Sequence, residues 1–199
     1  MLKIGLTGGI GSGKSTVAEL FNSLYNIPVI DADIIAHQLV EPDQPALALL
    51  QQTFGQSIIN PKGALDRDQL RDIIFSDSDK KDQLEKILHP LIYQQMQAEF
   101  DLQTSVYCIL CIPLLMETKM THFVDRVLVV DCPVEVQIER VMQRDSLSKE
   151  SILSIIKSQV SRETRLSQAN NVIHNPNSST PLAEQVKKLH NQYILLSNS

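Results

Sequence analysis

The chain of 199 residues lacks an apolar run long enough to cross a bilayer: the longest, Val106 to Met116, is about half a span and contains Pro113. It has no positive charge to spare, with 18 Lys and Arg against 23 Asp and Glu. A net charge of -5 argues against a nucleic-acid duplex or an anionic membrane as the main partner, since neither attracts an acidic surface. Cysteine is scarce and odd in number, which argues for a reducing compartment. Cys108 and Cys111 form a C-x-x-C, but in a strand-like run positions three apart point to opposite faces, so they read as core rather than as a metal or redox pair. No cationic segment followed by an apolar stretch opens the sequence, because Leu2 to Leu6 already reads as a strand. A secretory signal is therefore not expected, and a cytoplasmic location is. Internal repeats and low-complexity segments are absent as well, and no obligate protein partner is inferred. The 43% of hydrophobic residues suffices for one sizeable core with a small appended lobe.

What is present begins at Gly8. The stretch Gly8-Gly9-Ile10-Gly11-Ser12-Gly13-Lys14-Ser15-Thr16 fits G-x-x-x-x-G-K-[ST] at every fixed position. Gly8, Gly11 and Gly13, free of Cβ atoms, let backbone N–H groups approach phosphate oxygens, with Gly9 and Ser12 in the same cradle. Lys14 places a compact charge on the β- and γ-phosphates, Ser15 offers a hydroxyl to Mg²⁺, and Thr16 stands near the α-phosphate. The surroundings fit, since Leu2, Ile4 and Leu6 read as a buried strand and Val17, Leu20, Phe21 and Leu24 recur at helical spacing. The pattern predicts bound ATP with Mg²⁺ and an α/β, three-layer P-loop NTPase fold on a parallel sheet.

Further along, Ile27 to Ile30 reads as a second strand ending at Asp31-Ala32-Asp33, with a helix over 34–40. Two acids two apart on an extended segment share a face, although one of them capping the helix is an equal reading for Asp31. From Glu41 to Leu102 the sequence reads as short helices, with stripes at Leu47, Leu50 and Phe54, at Leu70, Ile73 and Ile74 behind an Asp66 cap, at Leu84, Ile87 and Leu88, and at Ile92, Met96 and Phe100. Such an insertion is too long for an ordinary crossover and reads as a substrate lobe, in which His89-Pro90 marks a helix break and a cleft wall. Val106 to Ile112 is a continuous apolar strand. Nucleotide hydrolases often carry an acid at its end, but here Ile112-Pro113 occupies the place. Asp31 or Asp33 is then expected to supply the metal's outer-shell carboxylate through water, with Glu117 a weaker candidate.

Val127 to Val130 is another strand, and the helix after Pro133 puts Arg140 and Arg144 four apart on one face, as an anion clamp requires. A helix capped by Ser148 follows, with Lys157, Arg162 and Arg165 expected to be exposed; a salt-bridged surface and a cationic lid both fit the pattern. Val172 to His174 forms a last strand, and Asn175-Pro176-Asn177 turns the chain where its amides can meet an adenine ring. A closing helix follows Pro181, and the last three residues are expected to fray.

Together these segments resemble the dephospho-CoA kinase family. The likeness rests on Ile4 to Ser15, Asp31-Ala32-Asp33, Leu65-Asp66-Arg67 with His89-Pro90, Pro113-Leu114-Leu115-Met116-Glu117, Gln137 to Arg144, and Gln159 with Val172 to Asn175. It implies transfer of the ATP γ-phosphate to the 3′-hydroxyl of the ribose of dephospho-CoA. It also implies Asp33 as base and Arg140 on the transferring phosphate; beside these, Lys14 is expected on the same phosphate, Arg144 and Asn175 toward ATP, and His89 and Leu114 toward the acceptor. The corresponding division is a core of 1–34, 104–140 and 169–199, a helical acceptor lobe of 35–103 and a helical lid of 141–168. Met116 stands where Phe is common, and Asn170-Asn171 replaces an acidic run. A kinase of another nucleoside or nucleotide, and a nucleotide-dependent switch, are the competing readings.

Overall fold

A computed structural model describes residues 1–176 and 181–197; Asn177 of the expected turn and residues 198 and 199 of the tail lie outside them. In chain order the elements are β1 (Leu2–Thr7), α1 (Lys14–Tyr25), β2 (Val29–Asp31), α2 (Ala32–Gln38), α3 (Pro45–Phe54), α4 (Arg67–Ser76) and α5 (Ser78–Asp101). There follow β3 (Tyr107–Cys111), β4 (Arg126–Asp131), α6 (Val134–Asp145), α7 (Lys149–Ser158), α8 (Arg162–Ser167), β5 (Asn171–His174) and α9 (Leu182–Ser197). Among the described residues the strands form one five-stranded parallel sheet in the order β2-β3-β1-β4-β5. β1 runs parallel to β3 on one side, with Ile4 opposite Ile109, and to β4 on the other, with Leu6 opposite Leu128. The chain thus leaves β1 where the sheet is built outward in both directions, the switch point at which parallel sheets place ligands.

The chain divides into two compact units, Met1–Ile30 with Gln103–Ser199, and Asp31–Leu102. The first holds the sheet. Ile4, Leu6, Ile109, Leu128 and Ile173 are fully buried, and Phe21 of α1, Tyr107 of β3 and Tyr193 of α9 meet as an aromatic cluster with ring centroids 5.4–6.3 Å apart. Cys108 and Cys111 are buried in this core and form no disulfide among the described residues. Asn170 and Asn171 act as structural residues. Asn170 Oδ1 accepts the Val127 N–H at 2.7 Å, and Asn171 Oδ1 accepts the Tyr193 hydroxyl at 3.2 Å.

The second unit packs helices around Val40, Leu50, Ile58 and Leu70. α3 and α4 follow the expected stripes, and Asp66 caps α4 by accepting the Gln69 N–H at 3.0 Å. Two expectations are corrected here. His89-Pro90 does not break a helix, because α5 runs unbroken for 24 residues with Pro90 inside. A proline removes a single N–H from the ladder, and a long helix with apolar side chains on both sides of it absorbs that loss. Nor do Asp31 and Asp33 share an extended face. Asp31 Oδ1 accepts the N–H groups of Asp33 at 2.8 Å and Ile34 at 3.4 Å, which starts α2 at Ala32 and puts Asp33 in its exposed first turn.

Candidate active site

The turn from β1 to α1 is shaped by two left-handed glycines, Gly11 at φ 70° and Gly13 at φ 96°. Gly13 is the N-cap of α1 and offers no side chain to the first-turn N–H groups, and no acid stands in that turn. The positive end of the helix is left for an external anion. A Cβ on Gly13 would strike the Asn175 amide. Ser12 is 1% exposed, and its Oγ is a buried polar atom with no hydrogen-bond partner among the described residues, as expected where a ligand belongs. Lys14 Nζ donates to the Gly8 carbonyl at 3.0 Å, folded back over the loop. Ser15 and Thr16 are exposed at the start of α1.

Arg140 comes from α6 and holds the outside of the loop. Its guanidinium donates to the carbonyls of Gly11 and Ser12 at 3.4 Å each, and to the Asn175 carbonyl at 3.2 Å and Oδ1 at 3.4 Å. Asn175 Nδ2 in turn donates to the Ser12 carbonyl at 2.8 Å. In a trans peptide N–H and C=O point opposite ways, so drawing the Ser12 carbonyl outward turns the Gly13 N–H toward the cradle. Arg140 and Asn175 therefore orient the donors of the loop. Arg144, the other member of the expected clamp, pairs with Asp145 at 2.7 Å on the exposed end of α6.

Around this loop lies a polar shell that the sequence only hinted at. Asp131, at the end of β4 and 6% exposed, takes a two-pronged pair from Arg162 at 2.7 and 2.8 Å, with His174 Nδ1 at 3.5 Å. The Arg162 hydrogen bonds hold its carboxyl below the ordinary range against the opposing effect of burial. Arg165 is not exposed as expected but 8% accessible, donating to the Val160 carbonyl at 3.0 Å. Burial lowers its pKa, and the charges of Glu117 and Asp131 oppose that. Glu117 accepts the Val160 N–H at 3.0 Å, a tether between loops. Gln159 Oε1 accepts the Ile10 N–H of the glycine loop at 3.1 Å, and the Thr7 hydroxyl donates to the Pro113 carbonyl at 3.0 Å. Burial pushes the Cys132 thiol up, so it is no nucleophile at neutral pH. Leu114 is 43% exposed in the loop after β3, whereas Met116 is buried at 7%.

Residues 2–181 match the family model described as dephospho-CoA kinase. A protein named dephospho-CoA kinase from Methylococcus capsulatus is 46% identical over 197 residues, covering 99% of each chain. The chain belongs to the dephospho-CoA kinase family. Among solved structures, the dephospho-CoA kinase from Campylobacter jejuni is 30% identical with a TM-score of 0.70, covering 99% of this chain and 98% of that one. TT1252 from Thermus thermophilus is 31% identical with a TM-score of 0.84 and coverages of 98% and 96%. As a member of the dephospho-CoA kinase family the chain is an ATP-dependent phosphotransferase.

Of the family residues expected from sequence, the first unit gathers Gly8 to Thr16 with Arg140 and Asn175, and leaves Arg144 apart. Asp31, Asp33 and His89 belong to the helical unit, where His89 lines a surface hollow with Asp82, Glu85 and Lys86, its ring edge-on to Tyr93. Gln137, 6% exposed against Gly9, was legible only as part of the Gln137 to Arg144 likeness. Among the described residues no helix is long and apolar enough to cross a membrane, and no three His, Cys, Asp or Glu side chains form a metal cluster.

Proposed function

We propose that this chain transfers the γ-phosphate of ATP to the 3′-hydroxyl of the ribose of dephospho-CoA, giving CoA and ADP. What supports it most directly is the uncapped start of α1 behind Gly11 and Gly13, an anion cradle in a chain of this family. The division of labour follows the sequence: a donor core of 1–34, 104–140 and 169–199, an acceptor lobe of 35–103 and a lid of 141–168. Gly8 to Thr16 bind the polyphosphate, and Lys14 neutralises charge on the β- and γ-phosphates. Arg140 takes part through the loop carbonyls that it holds and through its charge beside the cradle. Arg144 and Asn175 serve the nucleotide end, and His89 and Leu114 the acceptor.

The donor set fits a hard cation. The exposed Ser15 hydroxyl would hold it directly, and Asp31 or Asp33 would act through water, with only one Asp31 oxygen committed to the helix cap. The described residues hold no all-protein cage, so the rest of the shell would come from oxygens outside the protein. Bound Mg²⁺ supplies charge neutralisation on the phosphate oxygens. Asp33 orients the ribose hydroxyl and receives its proton as the oxygen bonds to Pγ. The bond from Pγ to the β–γ bridging oxygen breaks, and ADP leaves with that electron pair.

The test is a panel of acceptors offered with ATP and Mg²⁺: dephospho-CoA, adenosine and nucleoside monophosphates. The expected kcat/KM is highest for dephospho-CoA, by about 10²-fold or more, as for a site that binds the remote part of its acceptor. Equal or better turnover of a nucleoside monophosphate would overturn the reading.

A further inference from the structure

The Gly9–Ile10 peptide is held from both ends. Its carbonyl, on Gly9, accepts the Ser12 N–H at 3.1 Å and so closes the turn that carries the chain to Gly11 and Gly13. Its N–H, on Ile10, donates to Gln159 Oε1 at 3.1 Å. Gln159 is the first residue after α7, 149 positions from Ile10. It is held on both sides: its own N–H reaches the Ile156 carbonyl at 3.3 Å, and the next residue is tied by Glu117 through the Val160 N–H and by Arg165 through the Val160 carbonyl. Two residues further on, Arg162 is locked to Asp131. The short connection between α7 and α8, with the first residue of α8, thus reaches the glycine loop, the loop after β3 and the end of β4 at the carboxyl edge of the sheet, and the contact on the glycine loop is made by one carboxamide oxygen.

The physical consequence concerns rotation of a peptide plane. A part-buried N–H that loses its acceptor turns to find another. For Ile10 that turning rotates the Gly9 carbonyl out of the Ser12 turn, since both groups belong to one rigid plane. The loop then loses the backbone arrangement that aims its donors.

We propose that Gln159 is a positioning residue for donor binding: by accepting the Ile10 N–H it fixes the Gly9–Ile10 plane, so the grip of the loop on ATP depends on the α7–α8 connection. This rests on the reading of the loop as the ATP site. Gln159→Met keeps the length of the side chain and removes the acceptor. Gln159→Glu keeps an acceptor, and its added charge falls in the cleft that Gln159 shares with Arg162 and Arg165.

The two variants and the parent protein are titrated with ATP and Mg²⁺ by calorimetry, with no phosphoryl acceptor present, and the exchange of the Ile10 amide is followed by NMR in the nucleotide-free protein. The expected result for Q159M is a Kd for ATP raised about five- to tenfold, with Ile10 exchange faster by a similar factor. Q159E is expected to stay within about threefold of the parent on both counts. An unchanged Kd and a still-protected Ile10 amide in Q159M would overturn the proposal, as would equal impairment of Q159E, which would mean that the acceptor is not what matters. Should the parent itself fail to bind ATP, the donor-site reading falls, while the Ile10 exchange in Q159M against Q159E still decides whether Gln159 holds the loop.

Discussion

Asp33 is the residue on which the proposed chemistry turns, and its place in the exposed first turn of α2 leaves its carboxylate accessible. Replacing it with Asn keeps the shape and removes the base. Asp33→Asn is expected to lower kcat by about 10²-fold or more and to leave the KM for ATP nearly unchanged in steady-state assays, because the donor is held by other groups. A second residue-scale prediction concerns Asp131. Its pKa in the folded chain is held below the ordinary value, so the stability it contributes is present above its unfolded pKa, about 3.9, and is lost as pH falls through the folded value. Asp131→Asn should lower Tm at pH 7 and narrow the difference in Tm between pH 7 and pH 3 relative to the parent. The motif residues of the loop were readable from their order alone. The partners of Arg140 and Arg162 were not, since a guanidinium on a helix has no local signal that separates a solvated charge from one matched to a carbonyl or an acid 31 or more positions away. Helical spacing placed Arg140 and Arg144 together, yet Arg144 has an adjacent acid and Arg140 has the Gly11 and Ser12 carbonyls of the loop.

At the scale of elements, the strand, glycine loop and first helix followed from periodicity and punctuation. α5 did not, because a His-Pro step is a strong local signal for a break that one lost hydrogen bond in a 24-residue helix does not enforce. The start of α2 was misplaced by two residues for a related reason: an Asp able to cap and an Asp able to react look alike in sequence, and the cap went to Asp31. α9 offers a direct probe of how the elements are fastened. Its His190 stacks on Tyr25 of α1, with centroids 3.9 Å apart, and meets the Tyr107 hydroxyl of β3 at 2.7 Å. Burial holds the Tyr107 hydroxyl protonated far above its ordinary pKa, and the direction of its bond to His190 Nδ1 follows the tautomer of the ring. Burial also lowers the pKa of His190, so the stability from the neutral ring is present above its unfolded value near 6.5 and is lost as pH falls below it. Tyr107→Phe is expected to cost about 1 kcal/mol in urea unfolding at pH 7.5.

At the scale of the whole molecule, composition and the run of apolar segments gave an α/β chain on a parallel sheet, as found. The strand order lies in no local pattern. That β1 sits between β3 and β4 follows from packing two apolar faces and from the right-handed sense of parallel crossovers, which act between segments a hundred residues apart. That arrangement puts the glycine loop at the switch point of the sheet, with the loops after β3, β4 and β5 on the same carboxyl edge. The central claim is that a polyphosphate held there gives up its terminal group to a ribose hydroxyl. Its most direct test is to incubate the chain with ATP, Mg²⁺ and dephospho-CoA and follow the products by mass spectrometry and ³¹P NMR. The expected result is one ADP for each acceptor that gains a single phosphate, as a monoester on the ribose 3′ oxygen; release of ADP and inorganic phosphate with dephospho-CoA unchanged would contradict it.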